Sequence, residues 1–141
     1  MRKPPRTGPE LPPREPVWIE EQDALAIHGR LLALDGGLKG VRDRALLQSA
    51  LARPQQLQAY ADSVDIAAMA AAYTFGIIRN HPFFDGNKRT GFVVGVLFLE
   101  INGHNFTATE ESAAQAVVSL AAGTLDESAF AAWVRSNVTR R

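Results

Sequence analysis

Hydrophobic positions recur at helical spacing along most of the chain after residue 17. Glycine, asparagine and proline residues separate the periodic stretches, as they do at the ends of helices. The pattern predicts six helices, over residues 20–35, 43–53, 66–78, 86–102, 109–122 and 126–138. No stretch of useful length alternates polar and apolar residues as a half-buried strand does. We therefore expect an all-α fold, a single compact domain of about six helices.

Single residues mark where several of these helices begin and end. Asp43 and Thr109 are good N-cap residues, whose side chains satisfy backbone N–H groups at a helix start. Gly123 is a typical C-terminal stop. Pro54 lacks a backbone N–H group and is predicted to end the second helix. Residues 54–64 have no clear periodicity, so we expect a loop or a short extended flap there, without a catalytic role.

Two helices are predicted to lie at the centre of the domain. Residues 66–78 are rich in alanine with larger apolar side chains between, and residues 92–99 are apolar on every side. A helix without a polar face is buried among its neighbours. Between these two apolar stretches lies the densely polar segment 81–91, HPFFDGNKRTG. This segment is the strongest candidate for a functional site.

Composition narrows the class of protein. The 141 residues suffice for one domain, and 15 basic residues balance 15 acidic ones, so no overall charge attracts nucleic acid or an anionic membrane. The absence of cysteine fits a reducing cytoplasm. No signal peptide is evident, and the apolar runs fall short of a membrane span. Residues 1–16 hold six of the eight prolines, a composition typical of a disordered tail, which leaves 17–141 as the domain.

The polar segment has the composition of an anion site. Gly86 and Asn87 stand where the central helix is predicted to begin, and the first turn of a helix has unpaired N–H groups and the positive end of the helix dipole. Glycine lets an anion approach the backbone closely. Lys88 and Arg89 add two positive charges. Together these four residues predict a cradle for a polyphosphate.

Two further residues suggest what happens to that polyphosphate. Asp85 would repel a bare phosphate but suits Mg²⁺, which takes one or two protein carboxylates and completes its shell with phosphate oxygens and water. His81 lies four residues earlier, and imidazole accepts protons near neutral pH. The hypothesis is attack by a hydroxyl group on a metal-bound nucleotide phosphate, with His81 as general base.

Simpler interpretations remain for single residues. The segment from Asp85 to Asn87 is also compatible with a plain turn, although two adjacent cations between buried helices have no structural purpose. A transition-metal site at His81 and Asp85 lacks an evident third ligand. His28 lies on the apolar face of the first helix, so we expect a buried, hydrogen-bonded histidine that supports the site rather than a catalyst.

The segment HPFFDGNKRTGF resembles the signature of the Fic/Doc superfamily, whose commoner form reads HPFxxGNGRxxR. Lys88 in place of the second glycine, and Phe92 in place of the final arginine, are similar to the Doc branch, the death-on-curing toxins. The stretches around Gly36 and from Gly40 to Pro54 also look like the N-terminal half of that group. The resemblance covers about residues 17–138.

The resemblance implies a function with named roles. His81 would activate a target hydroxyl, Asp85 would hold Mg²⁺, and Gly86, Asn87, Lys88 and Arg89 would bind ATP phosphates. Doc-type toxins are understood to transfer the γ-phosphate to a threonine of elongation factor Tu, which stops translation. The alternatives are a Fic-type adenylyltransferase and, from another class, a catalytically silent helical module that binds a partner peptide.

Regulation is also implied by the resemblance. Many Fic proteins carry an inhibitory helix of pattern [S/T]xxxE[G/N]. The nearest match here, residues 107–112, fails at its last position and follows the motif in sequence. We therefore expect restraint by a separate Phd-like antitoxin, a segment of which folds into a groove on this domain.

Overall fold

The computed structural model describes residues 15–61 and 64–141. The predicted tail, residues 1–16, lies almost entirely outside them, and the domain boundary at residue 17 stays a prediction. Within the described residues the elements, in chain order, are α1 Glu21–Asp35, α2 Arg44–Tyr60, α3 Ile66–Asn80, α4 Asn87–Ile101, β1 His104–Phe106, α5 Glu110–Ala122, α6 Glu127–Arg135 and β2 Val138–Arg140. The predicted all-α class with six helices is confirmed. None of these helices has the length and hydropathy that a membrane crossing needs.

Side chains fix the starts of four helices. In each case the residue before the helix accepts a hydrogen bond from the backbone N–H three positions later, at distances between 2.8 and 3.1 Å. These N-cap residues are Asp43, Asp65, Thr109 and Asp126. Each cap satisfies a backbone donor that the helix itself leaves unpaired. The caps predicted at Asp43 and Thr109 are therefore confirmed.

Helix α2 continues through Pro54 to Tyr60, so the predicted helix end at this proline was wrong. Pro54 is fully buried, and the following residues, QQLQAY, are mostly good helix formers. Burial of the proline ring in the core and the propensity of these residues offset the lost backbone hydrogen bond. The loop or flap expected over 54–64 is thus helical through Tyr60, while residues 62 and 63 lie outside the described part.

The C-terminal end of the domain also differs from the prediction. Helix α6 ends at Arg135 rather than near Val138, and the side chain of Asn137 donates to the carbonyl of Trp133 at 2.8 Å. Val138 instead begins β2, which pairs antiparallel with β1 opposite Phe106. These two strands have only three residues each, so they are too short to show an alternating pattern in the sequence.

Helix α3 lies at the centre, packed against α2, α4 and α6. Nine of its fifteen residues are buried. Thr74 of α3 donates its hydroxyl hydrogen to the carbonyl oxygen of Gly91 in α4 at 2.7 Å, so the two helices approach closely. The structure confirms that α3 and α4 form the centre of the domain. Their connection, residues 81–86, is consequently held at both ends by the core.

The residues that precede α1 are also tied to the core. The backbone N–H of Ile19 donates to the hydroxyl oxygen of Tyr73 in α3 at 2.9 Å. Burial raises the pKa of Tyr73 to about 12. The phenol therefore stays neutral over the physiological range, and it holds the segment before α1 against α3 without burying a charge.

Gly95→Ala is expected to destabilise the fold by about 1–3 kcal/mol, because α3 and α4 must move apart. A β-carbon at position 95 would collide with Oγ1 of Thr74 and lie 3.1 Å from the carbonyl oxygen of Ala70. Gly29→Ala in α1 is the matched control, since its β-carbon meets no atom within 4 Å. That variant should gain about 0.5–1 kcal/mol from helix propensity. Denaturant unfolding measures the free energy of unfolding of both variants. Equal values for Gly95→Ala and Gly29→Ala would contradict the close packing of α3 and α4.

Candidate active site

His81 follows α3 in a left-handed backbone conformation, with φ 52° and ψ 54°. Among the residues that the structure describes, His81 is the only one other than glycine with a positive φ. Its N–H donates to the carbonyl oxygen of Ile77 at 3.0 Å, which completes the C-cap of the helix. Such a backbone costs about 1–2 kcal/mol for a residue with a β-carbon, and strain of this kind concentrates at functional sites. The turn leaves the imidazole exposed.

The connection between α1 and α2 holds the loop after His81 in place. The carbonyl oxygen of Pro82 accepts the N–H groups of Arg42 and Asp43, at 2.6 and 3.0 Å. The guanidinium group of Arg42 donates to the carbonyl oxygens of His81 and Asn80, at 2.7 and 3.0 Å. Val41 and Phe83 form an isolated antiparallel bridge. The backbone carrying the histidine is therefore fixed from outside the motif as well as by its own helix.

Asn87 is buried, and its side chain holds the loop from within. Its Oδ1 accepts the N–H of Phe83 at 3.0 Å, and its Nδ2 donates to the carbonyl of the same residue at 2.9 Å. One amide thus satisfies both backbone groups of a fully buried phenylalanine. Because the side chain is used in this way, its main task is to hold the loop, and the backbone N–H of Asn87 stays at the start of α4.

His28 supports the same loop from α1. The ring is buried and stacks on Phe83, with centroids 3.8 Å apart and planes 8° apart. Its Nε2 lies 2.8 Å from the carbonyl oxygen of Asp85. Since a carbonyl oxygen only accepts, Nε2 carries the hydrogen and donates it. The expectation that His28 is a buried, hydrogen-bonded histidine that supports the site is confirmed.

Asp85 is exposed, and its position is fixed by the backbone of the α1–α2 connection. Its Oδ2 accepts the N–H of Leu38 at 2.6 Å, and Oδ1 has no hydrogen-bond partner among the described residues. Residues 15–61 and 64–141 contain no group of three His, Asp or Glu side chains able to hold a metal. The transition-metal alternative therefore gains no third ligand there. One exposed carboxylate fits Mg²⁺ that is held mainly by phosphate oxygens and water.

Helix α4 begins with a first turn that no side chain caps. Its N-cap is Gly86, with φ 80°, and no side chain caps the N–H groups that follow, in contrast to the four capped helices. Lys88 and Arg89 occupy the second and third helical positions, and both are exposed. Arg89 Nη1 lies 2.9 Å from Oδ2 of Asp35, the last residue of α1. Uncapped N–H groups, the helix dipole and two cations are the features that favour anion binding at a helix start.

All six residues predicted for the site line one cavity of about 440 Å³. They are His81, Asp85, Gly86, Asn87, Lys88 and Arg89. The cavity also includes Phe84, Ile78 and Ala121, which the sequence did not mark as site residues. Ala121 comes from α5, and only tertiary structure brings it to this place. The arrangement brings an exposed imidazole, an exposed carboxylate and the uncapped start of α4 with its two cations into one cavity.

Comparison with known proteins shows the family of the chain. The profile of the Fic/DOC family matches residues 18–99. The chain therefore belongs to the Fic/DOC family and, within it, to the branch of the Doc toxins. Over 85 residues it is 33% identical to the protein kinase doc of Escherichia phage P1. This aligned segment covers 60% of this chain and 68% of the relative. Over 92 residues it is 38% identical to Toxin Doc of Mycolicibacterium smegmatis, and the aligned segment covers 64% of this chain and 68% of that relative.

Proposed function

We propose that this protein is a toxin with ATP-dependent protein kinase activity, which transfers the γ-phosphate to a hydroxyl group of a target protein. The observation that carries the proposal is the position of Lys88. Its side chain is exposed at the second position of α4 and lines the cavity beside His81. At the position where Fic proteins have glycine, a lysine obstructs the orientation of ATP in which the α-phosphate faces the acceptor hydroxyl. The γ-phosphate is then the one presented to the acceptor.

Each site residue has a separate task in this reaction. His81 accepts the proton of the attacking hydroxyl, and its exposed position leaves room for a protein substrate. The N–H groups at the start of α4, with Lys88 and Arg89, bind phosphate oxygens. Asp85 is the protein ligand for Mg²⁺. When bound, Mg²⁺ would neutralise charge on the phosphates. Positioning and electrostatics supply most of the catalysis in this class of reaction.

We propose a threonine of elongation factor Tu as the acceptor, which makes the protein an inhibitor of translation in the cytoplasm. Two features support it: the relative in phage P1 is named a protein kinase, and His81 lines the cavity at an exposed position that a protein substrate can approach. In this proposal residues 17–141 form the catalytic domain. The acceptor is tested by incubating purified elongation factor Tu with this protein and Mg·ATP, then sequencing its modified peptide by mass spectrometry. Phosphothreonine supports the assignment, and an unmodified factor contradicts it.

Lys88→Gly is expected to change the product, because it removes the obstruction to the other nucleotide pose. The ratio of adenylyl to phosphoryl adducts should rise by about tenfold or more, as the pocket no longer discriminates between the two orientations. Intact-protein mass spectrometry of the acceptor separates the two adducts. Lys39→Ala, which removes an exposed lysine outside the cavity without adding backbone freedom next to Leu38, is the control and should leave the ratio unchanged. An unaltered product in Lys88→Gly would contradict the role given to this lysine.

We further propose a Phd-like antitoxin as partner and place it in a groove of about 970 Å³ formed by α2, α3, α5 and α6. Apolar side chains, among them Leu57, Phe75 and Leu125, line this groove together with the exposed Arg79. The groove shares Ile78 and Ala121 with the catalytic cavity. An amphipathic helix with an acidic residue near Arg79 matches this surface, and its end would reach the site.

Leu57→Glu and Arg79→Glu should each weaken antitoxin binding by about ten- to a hundredfold, because they place negative charge in the groove. In addition, Leu57→Glu removes an apolar contact, and Arg79→Glu removes a positive charge that would attract an acidic residue of the antitoxin. Titration calorimetry with the antitoxin measures the affinities. Arg30→Glu, an exposed change on α1 outside the groove, is the control. Wild-type affinity in both groove variants would show that the antitoxin binds elsewhere.

A further inference from the structure

Arg89, at the third position of α4, pairs with an acidic residue from a distant part of the chain. The Nη1 of Arg89 lies 2.9 Å from Oδ2 of Asp35, and both side chains are substantially exposed, at 62% and 41%. Asp35 is the last residue of α1, and Gly36 turns the chain away directly after it. The pair therefore joins the C-terminal end of α1 to the first turn of α4.

The position of Asp35 is unfavourable for α1 itself. The C-terminal end of a helix has a partial negative charge, which disfavours a carboxylate there. The last turn of α1 contains no basic residue that would compensate. An exposed ion pair adds little to stability, on the order of 0–1 kcal/mol. Neither helix formation nor global stability accounts for an aspartate at this position, whereas its contact with the phosphate cradle does.

The geometry of the pair leaves part of the arginine available. The ion pair uses Nη1, and a guanidinium group has five N–H donors arranged as a planar fork. Nε and Nη2 make no hydrogen bond to any described residue. Asp35 therefore holds one end of the guanidinium group near α1 and leaves Nε and Nη2 available to other acceptors. A restrained cation loses less entropy when it aligns a phosphate than a freely rotating one does.

We propose that Asp35 is a positioning residue, which holds the guanidinium group of Arg89 so that its remaining donors face the phosphate bound at the start of α4. The inference rests on the proposed kinase function. Asp35 touches no reacting atom, and it acts through Arg89 alone. Its removal should therefore reduce the rate of the chemical step more than the affinity for the nucleotide. Its effect should also vanish when Arg89 is absent.

The test compares Asp35→Ala, Asp35→Glu, Arg89→Ala and the double variant Asp35→Ala/Arg89→Ala. In Asp35→Ala, the single-turnover rate of phosphate transfer should fall about tenfold, while the Kd for Mg·ATP changes by less than about threefold. Asp35→Glu, which keeps the charge, should recover most of the rate. In the Arg89→Ala background, adding Asp35→Ala should have no further effect. Arg44→Ala breaks the exposed pair with Glu21 in α1 and is the matched control, with the wild-type rate.

NMR relaxation of the Arg89 Nε–H group separates this inference from the proposed function. Asp35→Ala should increase the mobility of that group and Asp35→Glu should restore its order, whether or not phosphate is transferred. Unchanged relaxation in Asp35→Ala would overturn the inference, and so would additive rate losses in the double variant. Absence of γ-phosphate transfer by the wild-type protein, with the relaxation changing as described, would refute the kinase function but leave the Asp35–Arg89 coupling supported.

Discussion

His81→Ala is expected to reduce the rate of phosphate transfer by about 10²–10⁴-fold, the usual contribution of a general base. The imidazole is exposed at the C-cap of α3, and the backbone is held there by hydrogen bonds that do not involve the ring. The substitution therefore removes the base without removing a contact of the core. Single-turnover kinetics with purified protein, Mg·ATP and elongation factor Tu measures the loss.

A second substitution separates chemistry from backbone strain at this position. Alanine tolerates the left-handed conformation of His81 less well than asparagine does. His81→Asn should therefore keep the wild-type unfolding free energy more closely, yet lose transfer to the same extent. Both variants should still bind the antitoxin, because His81 does not line the groove. Transfer at the wild-type rate in His81→Asn would remove His81 from the catalytic mechanism.

Asp85→Asn is expected to lower kcat/KM by about 10²–10³-fold and to raise the Mg²⁺ concentration needed for half-maximal rate. The amide keeps an oxygen that accepts the N–H of Leu38, so the loop retains its shape. What it loses is the negative charge that binds the metal ion. Initial rates measured over a Mg²⁺ titration give both quantities.

Glu111→Gln provides the matched control for Asp85→Asn, since it neutralises an exposed carboxylate in the first turn of α5. It should have wild-type kinetics at every Mg²⁺ concentration. If Asp85→Asn shows the same Mg²⁺ dependence as this control, Asp85 does not hold the metal. A general loss of rate with an unchanged Mg²⁺ requirement would instead assign Asp85 to the geometry of the loop.

The helices were predictable because their signals are local. N-caps such as Asp43 and Thr109 and the stop at Gly123 act through backbone groups within four residues, which the sequence displays directly. Pro54 was misjudged because its burial in the core, a tertiary effect, outweighs a local penalty. The β1–β2 ribbon depends on pairing between residues 104–106 and 138–140, which three-residue strands do not signal.

The residues of the cavity were predictable because they are nearly contiguous, from His81 to Arg89. Their supports were not, with the exception of His28. Arg42 reaches His81 and Asn80 across 39 and 38 positions of sequence, and no pattern in a single sequence encodes such a contact. Asp35 was marked in the sequence only by its position, because a carboxylate at the C-terminal end of a helix is opposed by the helix dipole. The reason for this position becomes clear when the structure shows Arg89 beside it.

The most direct test of the kinase function is a labelling reaction in bacterial lysate, with ATP labelled at either the α- or the γ-phosphate and His81→Ala as the control. We expect label from the γ-phosphate alone, on a band of the size of elongation factor Tu, and none with His81→Ala. Label from the α-phosphate would make the protein an adenylyltransferase despite Lys88. No label from either position would contradict an enzymatic function and favour a module that only binds its partner.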